Sequence, residues 1–563
     1  MQYKNLTFIN KFCSHYLICV LFDFRNLNWF IKLELDLCIF NFYFSKKSMT
    51  KYYAILLMLI FGCDLKKNTP PNILFVISDD QSYPHTSIYG TSWINTPGFD
   101  RIAQEGLLFN HAFTTNAKCS PSRSSILTGR NSWLLEEATN HVPFFPEKFT
   151  TFPEVLKNKG YKTGKTGKGW SPGIAMKDGA KRDLIGMDYS AIKTNPPAAF
   201  ISNIDYAENF KFFLDENKDE QPFFFWVGGL EPHRRYEYQA GIKVGKKQIE
   251  QIEKVPEYWP NSKNVKTDML DYAFEIEYFD VHLIEIINEL EKRGLLENTI
   301  IVVTSDNGMP FPRVKGQVYP DDNRLPLAIR WGAGIKNPGR VIDDYFSFSD
   351  FAPTFLDLAG ISTEKHDMAE FSGVSWKSVF NNQSNIQKRD HMIVGKERHD
   401  VGRENDQGYP VRAILAGRYF YSLNFKPERW PAGNPETGYL NTDGSPTKTE
   451  ILDLKRKGIT DQFWNYAFGK RPEETLYDLE NDPRCLVDLA QDKAYAVTKQ
   501  SLRKSLMEDL TAQKDPRVMG NGDVFDNYTY ANKGSRNFFQ RYTNGDSINA
   551  GWVNPSDFEK TIE

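Results

Sequence analysis

The chain has 563 residues, 40% of them hydrophobic and 25% charged, with a net charge of -3. That length exceeds the roughly 250–300 residues over which one hydrophobic core grows, so two subdomains are expected. The balanced charge excludes a broad nucleic-acid-binding surface, so no nucleic-acid partner is expected, yet it leaves room for a local basic pocket.

Residues 49–63 have a charged start at Lys51, an apolar stretch from Tyr52 to Phe61, and Gly62 before Cys63. This is a secretory signal pattern, too short to span a bilayer. It resembles a bacterial lipoprotein signal, with Ile60-Phe61-Gly62-Cys63 as the lipobox. Export to the periplasm or cell surface is expected, with the membrane a partner only through a lipid anchor at Cys63. Residues 1–48 precede a complete signal and read as a mis-annotated extension.

A short polar linker over residues 66–71 leads into alternating strands and helices. Residues 72–78 form a continuous apolar run, as in a parallel strand buried on both faces. Helices are predicted over residues 99–108 and 152–159. Ser120 and Pro121 suit the cap and first position of another helix, which would place Cys119 at a positive helix end able to activate a nucleophile on an anionic ester. Residues 223–228 and 299–305 are two further buried strands, with a long helix between them over residues 268–293. After about residue 400, residues 411–415 and 419–423 read as antiparallel strands around a Gly-Arg turn, followed by a helix near residues 491–512 and an irregular, packed tail. The order implies an α/β catalytic domain over residues 70–400. Its mainly parallel sheet is sandwiched by helices, and a smaller α+β subdomain with an antiparallel sheet spans residues 401–563.

Ligands of open α/β sheets sit beyond the carboxyl ends of the strands. Here the first strand runs into Asp79-Asp80, the third into Asp306-Asn307, and the second leads to Glu231-Pro232-His233. Three aspartates and one amide make an all-oxygen site, which favours Ca²⁺ or Mg²⁺ over zinc. No Cys-x-x-Cys pair argues otherwise among Cys13, Cys19, Cys38, Cys63, Cys119 and Cys485.

Cys119-Ser120-Pro121-Ser122-Arg123, continued by Thr128-Gly129-Arg130, resembles the signature of sulfatases in the alkaline-phosphatase-like superfamily. Residues 72–80 resemble the opening strand of the same family and 94–103 the segment after it, 160–168 resemble its Gly-Tyr…Gly-Lys stretch, and 351–357 and 476–479 its later landmarks. Residues 306–312 and 395–403 resemble its heparan N-sulfatase (sulfamidase) branch in particular. The resemblance implies that Cys119 is oxidised to Cα-formylglycine by a formylglycine-generating enzyme. It implies that Asp79, Asp80, Asp306, Asn307 and the modified residue 119 hold one divalent cation, usually calcium. Arg123 would steady the modified residue, Lys168 and Lys315 would bind sulfate oxygens, and His233 would protonate the leaving atom. Arg234, His399 and Arg403 are candidates for contact with a sulfated carbohydrate. With Cys63 lipidated and Cys119 oxidised, Cys485 would be the one free thiol. One position departs from the pattern. Many sulfatases carry a histidine two residues after the lysine of the Gly-Lys stretch; here it is Trp170, which is either a sugar platform or core. A phosphate or phosphonate ester hydrolase on the same fold, and a non-catalytic glycan-binding lipoprotein, remain alternatives at this point.

Overall fold

The structure, a computed structural model, describes residues 70–362, 366–383 and 389–560. The expectations for residues 1–48 and for the signal and anchor at residues 49–63 lie outside these residues. Strand β1 (Asn72–Ser78) is buried along its whole length. Its side chains alternate between two cores, with Ile73, Phe75 and Ile77 in one and Leu74 and Val76 in the other. A strand of this kind needs cover on both faces, and each large apolar side chain fully buried there contributes about 1.5–3 kcal/mol.

The cover comes from later elements of the chain. In order these are α1 (Pro97–Gln104), β2 (Leu107–Phe113), α2 (Cys119–Thr128), α3 (Phe152–Asn158), β3 (Lys162–Gly167), β4 (Met187–Asp188) and α4 (Tyr206–Asp215). Next come β5 (Phe223–Gly228), α5 (Lys263–Lys292), β6 (Thr299–Ser305), β7 (Arg324–Arg330), β8 (Arg340–Ile342), β9 (Phe346–Ser347) and α6 (Phe351–Leu358). The sheet order is β8-β2-β7-β6-β1-β5-β3-β4, with β9 also on β2. Only β7 runs against its neighbours β2 and β6. Helices α2, α3 and α6 pack on one face, and α1, α4 and α5 on the other.

Three boundaries differ from expectation, each for a local reason. The helix predicted over residues 99–108 stops at Gln104, and Leu107 opens strand β2. A Cβ on Gly106 would lie 2.1 Å from the Ile329 carbonyl oxygen of β7, so glycine alone lets the chain turn there against that strand. Helix α5 starts before residue 268 because the Ser262 hydroxyl accepts the Val265 N–H at 3.3 Å, a cap that contributes about 1 kcal/mol. Helix α2 starts earlier than Pro121: Lys118 is its cap and Cys119 its first helical residue. Pro121 costs nothing there, since the first-turn N–H groups have no helical partner.

A second sheet, wholly antiparallel, joins β10 (His391–Lys396), β11 (Val411–Ala416), β12 (Tyr419–Asn424) and β13 (Glu474–Asp478). Helix α7 (Ala496–Ala512) closes it with Leu502, Leu506 and Leu510. Both sheets belong to one compact unit that starts at Pro70. Strand β10 begins ahead of the expected boundary at residue 400. Among the described residues no helix is long and apolar enough to cross a membrane.

Candidate active site

Strands β6, β1, β5 and β3 lie side by side and parallel, so their carboxyl ends share one edge. Ser78 pairs with Ser305, which puts Asp79-Asp80 beside Asp306-Asn307. Gly167 pairs with Gly228, and the Lys168 N–H donates to the Gly228 carbonyl at 2.8 Å. A Cβ on Gly228 would meet the Lys168 carbonyl oxygen at 1.8 Å, so this close approach of β3 and β5 requires glycine. Asp80 sits at φ 72, a left-handed conformation that aspartate tolerates better than most residues. Its N–H is held by Asp306 Oδ1 at 3.1 Å.

Strand β2 runs to the same edge and feeds α2, whose ten residues are all buried. Cys119 Sγ lies 3.6 Å from Asp79 Oδ1. One turn on, Arg123 donates from Nε to Asp306 Oδ2 at 2.8 Å and from Nη1 to the Lys168 and Gly169 carbonyls at 2.8 and 2.7 Å. Lys168 Nζ donates to Asp79 Oδ2 at 2.6 Å. Lys315 Nζ donates to Asp80 Oδ2 at 2.6 Å and to Asp443 Oδ2 at 2.8 Å. His233 Nε2 lies 3.2 Å from Lys315 Nζ and 3.8 Å from Asp80 Oδ2.

Oxygens of Asp79, Asp80 and Asp306 lie within 4.8 Å of one another in a buried cluster. Burial and the adjacent Asp79 charge push the Asp306 carboxyl up. Burial also acts to raise Asp79, but Lys168 and His233 outweigh it and hold Asp79 below its ordinary value. Asn307 donates its Nδ2 to Asp80 at 2.7 Å, which leaves its buried Oδ1 without a hydrogen-bond partner; Arg123 Nη2 makes no hydrogen bond and lies 3.7 Å from Asp79 Oδ1. An unsatisfied amide oxygen beside three crowded carboxylates fits a hard divalent cation, because only a cation would satisfy all four at once.

The sulfatase family profile matches residues 71–361, which holds every one of these residues but Asp443. The chain belongs to the sulfatase family. It is 26% identical to N-sulphoglucosamine sulphohydrolase of Homo sapiens over 508 residues, 82% of this chain and 94% of that protein. It is 27% identical to an ulvan-active sulfatase of Formosa agariphila over 499 residues, 80% of this chain and 76% of that protein. A solved structure in complex with its substrate D-glucosamine-2-N,6-O-disulfate shares the fold with a TM-score of 0.57 at 21% identity, over 81% of this chain and 99% of that one. Membership makes this chain a sulfuric ester hydrolase and implies a formylglycine and a divalent cation, for which the aspartate cluster is suited.

Above the sulfatase cluster lies a cavity of 660 Å³ whose walls include Asp79, Cys119, Lys168, His233 and Lys315. The wall also holds Lys118, His141, Asp400 and Asp443, none of which was assigned a role from sequence. Lys118 Nζ reaches Asp400 Oδ2 at 3.0 Å, and His141 Nδ1 lies 3.0 Å from Asp400 Oδ1. Lys118 had a signal in its place before Cys119, Asp443 one in the turn Asp443-Gly444, and Asp400 one in the landmark stretch 395–403; nothing in the sequence marked His141.

Of the four expected substrate contacts, His399 and Arg403 are corrected because both are buried, while Arg234 and Trp170 border cavities and are held by internal partners. Arg234 is bidentate to Asp268 at 2.6 and 2.8 Å and donates Nε to the Pro310 carbonyl, so most of its donors are engaged where it touches the cavity. His399 is buried with Nε2 at 2.7 Å from Asn116 Oδ1, and burial holds its imidazole well below the usual range. Arg403 is buried and donates to the Trp430 and Pro431 carbonyls; burial lowers it to about 10. Trp170 donates Nε1 to Ser124 Oγ, packs edge-on to Phe145, and lines a neighbouring cavity of 720 Å³. Burial favours internal partners for such groups, and His399 Nε2 and Arg403 have found them, while His399 Nδ1 has no hydrogen-bond partner among the described residues.

Burial pushes the Cys119 thiol up, and the surrounding carboxylates add to this against the pull of Lys168. Thiolate is the reactive form, so an unconverted Cys119 is expected to be inert in the folded chain. Iodoacetamide at pH 8, followed by mass spectrometry, should label Cys119 only after unfolding in urea; rapid labelling of the folded protein would contradict the assigned environment.

Proposed function

We propose that this chain removes sulfate from a sulfated amino sugar outside the cytoplasm, with N-sulfated glucosamine as the favoured unit. The substrate reading is supported by the human N-sulphoglucosamine sulphohydrolase and by the related fold solved with D-glucosamine-2-N,6-O-disulfate. Export with a lipid anchor at Cys63 is supported by the signal pattern of residues 49–63. The observation that carries the catalytic reading is Cys119 at the first position of α2, beside three buried carboxylates and beneath a lysine-rimmed cavity.

Asp79, Asp80, Asp306 and Asn307 would hold the cation, for which calcium is proposed, and Cys119 is the residue converted to formylglycine. When present, the cation and the hydrated aldehyde together supply an oxygen nucleophile of lowered pKa for attack on sulfur. Lys168 and Lys315 place ammonium groups where the sulfate oxygens gather charge. Arg123 compensates Asp306 and fixes the start of α2 against the β3 end. His233 is held through Nδ1, 2.6 Å from the Arg234 carbonyl, which makes Nδ1 the donor of that bond and leaves Nε2 toward the Lys315 ammonium at 3.2 Å, the atom that would take up a proton and pass it to the leaving nitrogen or oxygen.

The test is the protein co-expressed with a formylglycine-generating enzyme and offered a panel of N- and O-sulfated glucosamines and matched phosphate esters. Free sulfate from the N-sulfated sugar is expected, and elemental analysis of the same sample should find one calcium per chain. Phosphate release without sulfate release would overturn the reading in favour of a phosphoesterase.

A further inference from the structure

Two cavities meet at Arg235, and one of them joins the cavity over Cys119. The one over Cys119 continues past Trp552 into a cleft of 280 Å³ lined by Arg235, Gly551 and Trp552. That cleft opens through Arg235 into a third cavity of 680 Å³. Arg234 borders all three, but Asp268 occupies its guanidinium. Arg235 is different. It is exposed, it makes no ion pair among the described residues, and its one hydrogen bond is a long 3.5 Å contact to the Gly551 carbonyl. Its guanidinium lies 5.6 Å from the ring centroid of Phe200, which is 60% exposed at the rim of the catalytic cavity.

We propose that Arg235, with Phe200 and Trp552 beside it, forms a second anion subsite that reads a carboxylate or sulfate on the sugar next to the one losing its sulfate. This rests on the proposed glycan-sulfatase activity. A planar guanidinium with no ion pair matches a carboxylate or sulfate edge with two parallel hydrogen bonds, and the one hydrogen bond it would give up is the long contact to Gly551. Phe200 and Trp552 offer apolar faces for the sugar ring between the two anionic groups. Trp552 is fixed in place because its Nε1 donates to the Leu440 carbonyl at 2.8 Å. The third cavity presents Glu450 and Asp453 against Lys457, so a further anionic sugar gains nothing there.

The experiment uses the Cys119→Ala protein, which binds without turnover, and isothermal titration with four probes. These are N-sulfated glucosamine alone, a hexuronate-linked N-sulfated glucosamine disaccharide, the same disaccharide with its carboxylate reduced to the alcohol, and that alcohol form sulfated on the neighbouring sugar. Arg235→Ala, added to this background, should weaken the uronate or the sulfated-neighbour disaccharide about tenfold, the loss of a charge-assisted contact, and leave the monosaccharide and alcohol forms unchanged. Arg235→Lys should fall between. Whichever anionic probe responds identifies the group read. Equal weakening of all probes, no weakening of any, or no binding of any probe overturns the subsite. If the parent protein, matured at Cys119, releases no sulfate while the selective loss persists, the catalytic reading fails and the subsite stands.

Discussion

The Cys119→Ala protein is expected to release no measurable sulfate while unfolding at the same denaturant concentration as its parent. Every atom that could attack sulfur from α2 depends on that side chain, so the loss should reach about 10⁴-fold or more, as for removal of other covalent nucleophiles. The fold loses little. Cys119 is 1% exposed, but its sulfur makes one weak 3.6 Å contact to Asp79, and a small-for-small exchange at a helix start keeps the backbone. Circular dichroism during urea titration and ion chromatography of free sulfate measure the two sides separately. Sulfate release at the parent rate would remove Cys119 from the chemistry, whatever its surroundings.

The chemistry was legible where it trails a strand. An apolar run that is buried on both faces announces itself, and the residues just after it fall at the carboxyl edge; Asp79, Asp80, Asp306, Asn307, Lys168 and His233 were all found in this way or through the motifs beside it. The shared edge of three of those ends follows from parallel pairing of continuous apolar runs; the fourth strand, Lys162–Gly167, is too polar to announce itself and was reached only through its Gly-Lys motif. Strand β2 was hidden because Leu107-Leu108-Phe109 continues the apolar pattern of α1, and only the close approach at Gly106 separates them. Residues His399 and Arg403 misled because a charged loop reads as a solvated or ligand-facing one. Here the loop folds inward, with Arg398 N–H on Asn140 Oδ1 and the Arg398 carbonyl accepting the His141 N–H, and so clamps the chain around Cys119. Asp400, the member of that loop that does reach the cavity, has partners at Lys118 and His141 more than 250 residues earlier in the chain. No local pattern encodes such a pairing. The same holds for the wall supplied by Tyr530, Asn532 and Trp552, which come from a tail whose sequence shows only scattered aromatics.

Replacing Arg123 is expected to cost more stability than any other single change at the site. Its side chain is fully buried against Asp306, also fully buried, and it makes three hydrogen bonds that join α2 to β6 and to the end of β3. Arg123→Ala strands the Asp306 carboxylate beside two others, and breaking one partner out of a buried pair typically costs about 3–5 kcal/mol. Part of that cost falls when Asp306 takes up a proton, which its raised pKa makes easier. A protonated Asp306 is a poorer cation ligand, so activity and metal content should be lost together with stability. Arg123→Lys separates these effects. An ammonium compensates the carboxylate but cannot reach Asp306 and two carbonyls in the geometry of the guanidinium fork. It should recover part of the urea midpoint and little of the sulfate release. An Arg123→Ala protein with the parent's midpoint and calcium content would mean that the three aspartates do not carry the charge assigned to them, and the cation site would have to be sought elsewhere.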